Sequence, residues 1–311
     1  MEPNRVERLR RHMHIKNDLI KCTLCEFFCT FIAIFIGDCA AAQFILSDGN
    51  KDAWIGVNVG WGIGLFIAVS LGHRISGAHV NPAVSLYNFT QGKLSFIRFL
   101  FYSIAQTAGA FFAAAFTFVL YYDAINNFDG GVRHVTGPKA TAGIFCTYPA
   151  PYLSFVGGLI DQIFGTALLC ICVSTITDKR NKVPDFLHPV YLALMLIMLG
   201  TAVGMNSGYA INPARDFGPR LFTWAAGYGT EVFSFNDYKW FWVPIVCPLI
   251  GAVLGAWMYE FSIGFHMPDD PNATQKLEIV PVTIIYGEKT GKEWSATNAS
   301  LKSWKNGDDV R

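Results

Sequence analysis

The chain of 311 residues has few charged side chains. Asp, Glu, Lys and Arg together make up 15 % of it, whereas soluble domains carry roughly 25 %. The charges that are present nearly cancel, because 24 Lys and Arg stand against 23 Asp and Glu. This balance excludes a basic nucleic-acid-binding protein and an acidic disordered chain, so we expect no nucleic-acid partner.

Cysteines and catalytic motifs are also sparse. Eight cysteines are too few for a disulfide scaffold of this length. Cys22, Cys25 and Cys29 are spaced to share one helix face, and we interpret them as small apolar residues of a membrane helix. The sequence contains no nucleophile–base set, no glycine-rich phosphate loop and no metal-spaced histidines. We therefore expect neither enzyme activity nor a cofactor.

Apolar residues, by contrast, make up 52 % of the chain. They concentrate in six runs close to the ~20 residues that a membrane-spanning helix requires. The runs are approximately 20–46, 52–73, 99–122, 153–177, 186–204 and 239–260. This pattern predicts an all-α integral membrane protein with six transmembrane helices. We expect an N-terminal segment at 1–19, a channel domain at 20–265 and a polar tail at 266–311.

The distribution of basic residues predicts the orientation of these helices. With six spans, the N-terminus and the connections near 73–98 and 178–185 lie on one side and carry twelve Lys and Arg, against four on the other side. Basic loops remain in the cytoplasm. We therefore expect both termini to be cytoplasmic, in a multi-pass protein of the plasma membrane.

The chain also contains an internal repeat. The segment 76–83, SGAHVNPA, returns as SGYAINPA at 207–214, and the segment that begins at Glu26 is echoed by the one that begins at Gln162. The first repeat covers about 20–122 and the second about 153–263. Each repeat holds three spans, and an odd number of crossings inverts the second repeat relative to the first.

The two Asn-Pro-Ala sequences are expected to start helices that do not cross the membrane. Asparagine is a good N-cap and proline suits the first helical position. About a dozen residues follow each asparagine before the next break, which is too short for a span. We therefore predict two re-entrant half-helices whose N-termini meet near the membrane centre. The residues concerned are Asn81, Pro82 and Ala83 in the first repeat and Asn212, Pro213 and Ala214 in the second.

These caps have a chemical consequence. Two helix N-termini place roughly half an elementary positive charge each at the centre, which repels cations. If the side-chain oxygens of Asn81 and Asn212 cap their own helices, both NH2 groups are free to donate to a passing oxygen. A solute oriented in this way interrupts the chain of hydrogen bonds that a proton would need.

At these residues the sequence resembles the aquaglyceroporins, the glycerol-conducting branch of the aquaporin (major intrinsic protein) family. The most specific stretch is GYAINPARDFGPR at 208–220, in which Asp216 is typical of the glycerol branch. The resemblance covers about 20–265. It implies the aquaporin fold and a passive channel across the lipid membrane that conducts glycerol, other small neutral solutes and water and excludes ions and protons. It also implies a homotetramer with one pore in each protomer.

The resemblance also implies roles for particular residues. A selectivity filter is expected from Trp61, Gly200, Tyr209 and Arg215, with Gly200 leaving space where water-selective members have a histidine. Backbone carbonyls are expected to line the pore at Gly77, Ala78, His79, Gly208, Tyr209 and Ala210.

Four further residues are expected to support this arrangement. Glu26, in the first span, should accept hydrogen bonds from the backbone beside the first Asn-Pro-Ala. Gln162 stands where the second repeat would have the equivalent glutamate. Asp216 and Arg220 are four residues apart on a helix and are expected to pair.

Two other functions remain as alternatives. A water-selective channel would share the Asn-Pro-Ala repeat, but Trp61, Gly200, Tyr209 and Asp216 argue against it. A secondary transporter with inverted repeats would need an ionisable coupling group at the membrane centre, where this sequence offers amides.

Overall fold

A computed structural model of the chain describes residues 4–268. Within that range the regular structure is helical. A short, exposed helix α1 (Arg5–Met13) precedes the long helices. The predicted N-terminal segment therefore contains a helix, whereas the predicted tail lies outside the described residues apart from its first three.

Six helices are long and apolar enough to cross a membrane, as the sequence predicted. They are α2 (Asp18–Leu46), α3 (Trp54–Gly72), α5 (Phe96–Leu120), α7 (Phe155–Thr177), α8 (His188–Val203, with a preceding turn from Asp185) and α11 (Val243–Ser262). Three of them begin at a polar side chain that accepts from the first turn: Asn17, Ser95 and Ser154.

Four shorter α-helices follow α2 within the described residues, together with several 3₁₀ and π-helical turns. Two of them, α4 (Pro82–Thr90) and α9 (Pro213–Thr223), begin at the Asn-Pro-Ala sequences. At 1.5 Å per residue each is about half the length of a span or less. The other two, α6 (Tyr122–Asp129) and α10 (Glu231–Ser234), lie in the connections.

The outer faces of the spans carry large apolar side chains that no other part of the described structure covers. Phe116, Val119 and Phe164 are 58 %, 75 % and 70 % exposed. The buried interior is mostly apolar too, but it also holds polar and charged groups, among them Glu26, Asp216 and Arg220. Apolar outer faces, with charged groups kept in the interior, are expected of a protein that has lipid as its solvent.

The two repeats pack their first and third spans in the same way. In the first repeat Gly109 of α5 lies against the backbone oxygen of Phe27 in α2. In the second, Gly251 of α11 lies against the backbone oxygen of Ile163 in α7. Phe27 and Ile163 directly follow the repeat-related residues Glu26 and Gln162. Glycine at both crossings lets the helix backbones approach closely, as membrane helices require.

We expect Gly251→Ala to destabilise the protein. The added Cβ would overlap the backbone oxygen of Ile163, which cannot rotate away, and overpacking of this kind costs about 2 kcal/mol. Gly143→Ala is the control, because its Cβ would meet only a side-chain atom of Ile45, at 3.9 Å. Thermal unfolding in detergent should show a lower midpoint for the first variant alone; equal midpoints would contradict the close crossing.

Candidate functional site

A cavity of about 800 Å³ extends into the described part of the protein. One mouth is lined by residues that include Lys93, Asp178, Arg180, Asp185 and His188. From there the wall passes both Asn-Pro-Ala asparagines and reaches Trp61, Tyr209 and Arg215. The residues that the sequence places in two separate repeats therefore share one lumen.

The two half-helices are joined at their N-termini by reciprocal hydrogen bonds. The side-chain oxygen of Asn81 accepts from the Ala83 N–H at 2.8 Å, and its Nδ2 donates to the Ile211 carbonyl at 2.9 Å. In the second repeat Asn212 accepts from the Ala214 N–H at 3.0 Å and donates to the Val80 carbonyl at 2.9 Å. Each asparagine thus caps its own helix and binds the opposite repeat.

This arrangement corrects one detail of the expected mechanism. The NH2 groups of Asn81 and Asn212 are not wholly free, because one hydrogen of each is used by the opposite repeat. A primary amide has two donor hydrogens. One remains on each asparagine, and both residues line the cavity. The cross-repeat bonds fix the direction in which that second hydrogen points.

Glu26 organises the first re-entrant segment. Its carboxylate accepts from four groups: the Ser76 hydroxyl at 2.6 Å, the backbone N–H groups of His79 and Val80 at 2.9 Å each, and the Gln106 amide at 2.8 Å. The side chain is fully buried. The predicted contact between this carboxylate and the loop backbone is therefore present, and four donors offset the cost of burying the group.

The second repeat divides the same task between two residues. Gln162 accepts from the Ile211 N–H at 3.0 Å and donates to the Ser207 hydroxyl at 2.7 Å. The neighbouring Asp161 accepts from the Ser207 hydroxyl and, at 3.0 Å, from the Asn206 amide. Asp161 thus supplies the carboxylate that Gln162 lacks.

The segments that Glu26 and Gln162 hold are strained in both repeats. Ala78 and Val80 have φ values of +50° and +48°, and Tyr209 and Ile211 have +38° and +39°. Positive φ is unfavourable for residues with a Cβ, above all for β-branched Val and Ile. The N–H groups of Val80 and Ile211 are held by Glu26 and Gln162. Strain of this kind persists where surrounding contacts over-determine it.

The strained segments leave a row of unpaired carbonyl groups. Between residues 4 and 268, no protein hydrogen bond ends on the carbonyl oxygens of Gly77, Ala78, His79, Gly208, Tyr209 and Ala210. All six residues line the cavity. Buried backbone carbonyls almost always have a partner in the protein or in water. These six carbonyl oxygens therefore have no hydrogen-bond partner among the described residues, beside the cavity.

Arg215 and Trp61 contact each other at the far end of the cavity. The guanidinium carbon lies 4.4 Å from the centre of the Trp61 ring, and one nitrogen donates to the Phe145 carbonyl at 2.7 Å. Arg215 is 8 % exposed and lines the cavity. A cation held over an indole face and bonded on one side still has several N–H donors to offer.

Gly200 does not have the surroundings that the sequence suggested. The expectation that it leaves open space in the lumen is wrong, because a Cβ at this position would meet the Asn58 amide and, at 2.7 Å, the ring of Tyr209. Gly200 is also not among the residues that line the cavity. The space is filled by Tyr209, which is 6 % exposed.

Asp216 and Arg220 form the ion pair that their spacing predicts. Arg220 donates to Asp216 at 2.7 and 2.9 Å and also binds the carbonyls of Thr147 and Val232. Asp216 accepts in addition from the backbone and hydroxyl of Thr147. Both side chains are fully buried. The pair ties the connection around Thr147 and the helix α10 to the second half-helix.

A second charged network lies at the mouth beside α7. Hydrogen bonds from the Arg180 guanidinium hold the pKa of Asp178 at about 2, below the ordinary 3.8. The Tyr259 hydroxyl also donates to Asp178, at 3.0 Å, and Arg180 donates to the Gly264 carbonyl at 2.6 Å. These bonds join the end of α7 to the end of α11.

Several residues of the site were not assigned from the sequence. Four such residues each bind a predicted site residue: Asn58 binds Tyr209, Gln106 binds Glu26, Phe145 binds Arg215 and Asp161 binds Gln162. Phe145 acts through a backbone carbonyl, which side-chain identity cannot signal. For Asp161 there was a signal, because an acidic residue inside a span normally has a partner.

Comparisons with known proteins identify relatives of the chain. The profile of the family described as Major intrinsic protein matches residues 13–259. Aquaporin-10 of Homo sapiens is 42 % identical over 267 residues, which cover 86 % of this chain and 88 % of that protein. Aquaporin-9 of Homo sapiens is 42 % identical over 282 residues, covering 89 % and 95 %. The structure of the aquaglyceroporin from Plasmodium falciparum matches with a TM-score of 0.71 and 28 % identity, over 79 % of this chain and 97 % of that one.

The chain therefore belongs to the Major intrinsic protein family. It is a passive membrane channel and not an enzyme. The resemblance to the glycerol-conducting branch is confirmed, and the relatives support a channel for glycerol, small solutes and water over a water-selective one.

We expect Asp216→Ala to lower the free energy of unfolding by roughly 3–5 kcal/mol, because it leaves the buried Arg220 without its counter-charge. Lys239→Ala is the control, since it breaks an exposed pair with Asp237 that contributes roughly 0–1 kcal/mol. Chemical unfolding in detergent measures both. A loss in the first variant no larger than in the second would contradict a structural role for the pair.

The Asp178 network predicts a pH dependence of stability. A lowered pKa in the folded state stabilises the protein above the ordinary pKa, and this contribution is lost as the pH falls from about 4 towards 2. Asp178→Asn should therefore flatten the decline of the melting temperature over that interval. An unchanged slope would show that Asp178 is not held by Arg180.

Proposed function

We propose that glycerol, other small neutral solutes and water pass through the cavity by way of the residues described above. The observation that carries this proposal is the pair of crossed asparagines beside a row of unpaired carbonyls. The second amide hydrogens of Asn81 and Asn212 supply donors, and the six open carbonyls supply acceptors. A hydroxyl group can use both at once.

The wall opposite these polar groups suits the carbon side of a polyol. Apolar residues share the lumen with the carbonyls, namely Ile34, Leu65, Val69, Leu169, Val173, Leu192, Met195 and Leu196. Sites that bind small molecules combine an apolar wall with a few polar groups in this way. Glycerol has hydroxyls along one edge and C–H bonds along the other, so it matches both walls.

Cations are repelled by fixed positive charge. Anions are excluded because the lumen does not compensate for the loss of their hydration shell. Two helix N-termini meet at the crossed asparagines, each with a partial positive charge. Arg215 adds a full positive charge at the filter that it forms with Trp61. An anion, in turn, would lose its hydration shell to a lumen lined with carbonyl oxygens. A secondary transporter remains the weaker alternative, because the groups at the centre are amides.

We further propose the assembly and setting that the fold suits. The exposed apolar faces of the spans favour lipid contact, and the family resemblance favours a homotetramer with a pore in each protomer. The excess of Lys and Arg on the N-terminal side favours cytoplasmic termini in the plasma membrane. The channel domain is proposed to cover 20–265, with the repeats at about 20–122 and 153–263.

Flux measurements on proteoliposomes test the proposal. Vesicles containing the purified protein should reswell in a glycerol gradient faster than protein-free vesicles, and should also shrink faster in an impermeant osmolyte. Water flow without glycerol flow would favour the water-selective alternative. Uptake that saturates and depends on a proton gradient would favour the transporter.

Arg215→Val, which removes the positive charge at the proposed filter, tests charge exclusion. We expect this variant, and one with both Asn81 and Asn212 replaced by Ala, to pass ions or protons that the unaltered channel rejects, because the barrier at the filter or the centre is lower. Currents recorded in oocytes at matched surface expression measure the leak. The absence of a leak in both variants would contradict the proposed roles.

A further inference from the structure

The ring of Tyr209 lies in a slot between two spans. On one side are Gly200 of α8 and Gly204, which directly follows that helix, and added Cβ atoms there would approach the ring to 2.7 and 2.8 Å. On the other side is α3, where the Trp54 ring meets Tyr209 edge to face with centroids 6.1 Å apart. The two glycines are four residues apart, and Gly204 keeps right-handed helical backbone angles as the C-cap, so both lie on the same side of the helix end. They make room for an aromatic ring in the wall.

The far end of the slot is closed by Asn58. The Tyr209 hydroxyl donates to the side-chain oxygen of Asn58 at 2.7 Å, and Asn58 is fully buried. The amide nitrogen of Asn58 has no hydrogen-bond partner among the residues that the structure describes. A buried NH2 without a partner is costly. The side chain thus makes one hydrogen bond, to Tyr209, and leaves its own donors unsatisfied.

We propose that Asn58 is a positioning residue that sets the solute selectivity of the channel by holding the Tyr209 ring in the wall. The inference rests on the proposed function, because it concerns what determines the width of the filter through which the solute is proposed to pass. Gly200 then serves the filter indirectly, by making room for the ring. Asn58 itself need not touch the permeating solute.

The position of the Tyr209 ring depends on whether its hydroxyl group has a hydrogen-bond acceptor. While Asn58 accepts its hydrogen bond, the hydroxyl is satisfied inside the wall. Without an acceptor, the hydroxyl is a buried unsatisfied donor, which costs ~1–3 kcal/mol. It regains a partner by turning towards the water-filled lumen beside Arg215. That movement narrows the filter for glycerol more than for the smaller water molecule.

The test compares Asn58→Leu with the double variant Asn58→Leu/Tyr209→Phe. Leucine has the same number and branching of side-chain heavy atoms as asparagine but accepts no hydrogen bond, so the glycerol-to-water permeability ratio should fall about fivefold or more. Phenylalanine has no hydroxyl to satisfy, so the double variant should regain a ratio within about twofold of the original. Asn181→Leu is the matched control, because Asn181 binds Thr175 and Tyr259 outside the filter.

Recovery in the double variant separates positioning from general stability, because a second substitution would not repair a fold damaged by the first. An unchanged ratio in Asn58→Leu, or a double variant as impaired as the single one, would overturn the inference.

A second readout does not depend on glycerol transport. Nitration of Tyr209 by tetranitromethane, mapped by mass spectrometry, should be about fivefold faster or more in Asn58→Leu, with the exposed Tyr152 as the internal reference. If the unaltered channel passes no glycerol, the proposed function fails while this readout still decides the position of the ring. Equal nitration rates in the two proteins would overturn the inference.

Discussion

The structure depends on two crossed hydrogen bonds between the repeats. Asn81 and Asn212 each cap their own half-helix and each donate to a carbonyl of the opposite repeat. Neither half-helix spans a membrane, so the backbone groups at its end that lack a partner within the helix lie where water is scarce. The crossed bonds satisfy groups that would otherwise be costly to bury. They also leave one donor on each asparagine for the lumen, so the contact that joins the repeats is also the proposed contact with the solute.

The two repeats support this contact with different chemistry. In the first, the single carboxylate of Glu26 accepts from four donors around the segment before Asn81. In the second, Gln162 binds the backbone of Ile211 while the adjacent Asp161 accepts from Ser207 and Asn206. Both arrangements hold residues at positive φ ahead of the half-helix. The backbone geometry is therefore kept although the side chains that impose it differ.

The architecture was predictable from the sequence because its signals are strong and local. Six long apolar runs give the spans, and a repeated Asn-Pro-Ala with cap chemistry gives the half-helices. The glutamate contact and the Asp216–Arg220 pair followed from the cost of buried charge and from helical spacing. The surroundings of Gly200 were not predictable, because the absence of a side chain does not indicate which neighbouring group fills the space. Asn58 is 151 residues from Tyr209 in the sequence, and their hydrogen bond depends on how α3 and α8 pack.

The central claim is that one solute oxygen is bound by both asparagines where the half-helices meet. An experimental structure of the channel with glycerol, at a resolution that separates single oxygens, tests this most directly. We expect a hydroxyl or water oxygen at about 3 Å from the Nδ2 atoms of both Asn81 and Asn212, with the carbons of glycerol against the apolar wall. A solute bound to only one asparagine, or half-helix N-termini without the crossed bonds, would contradict it.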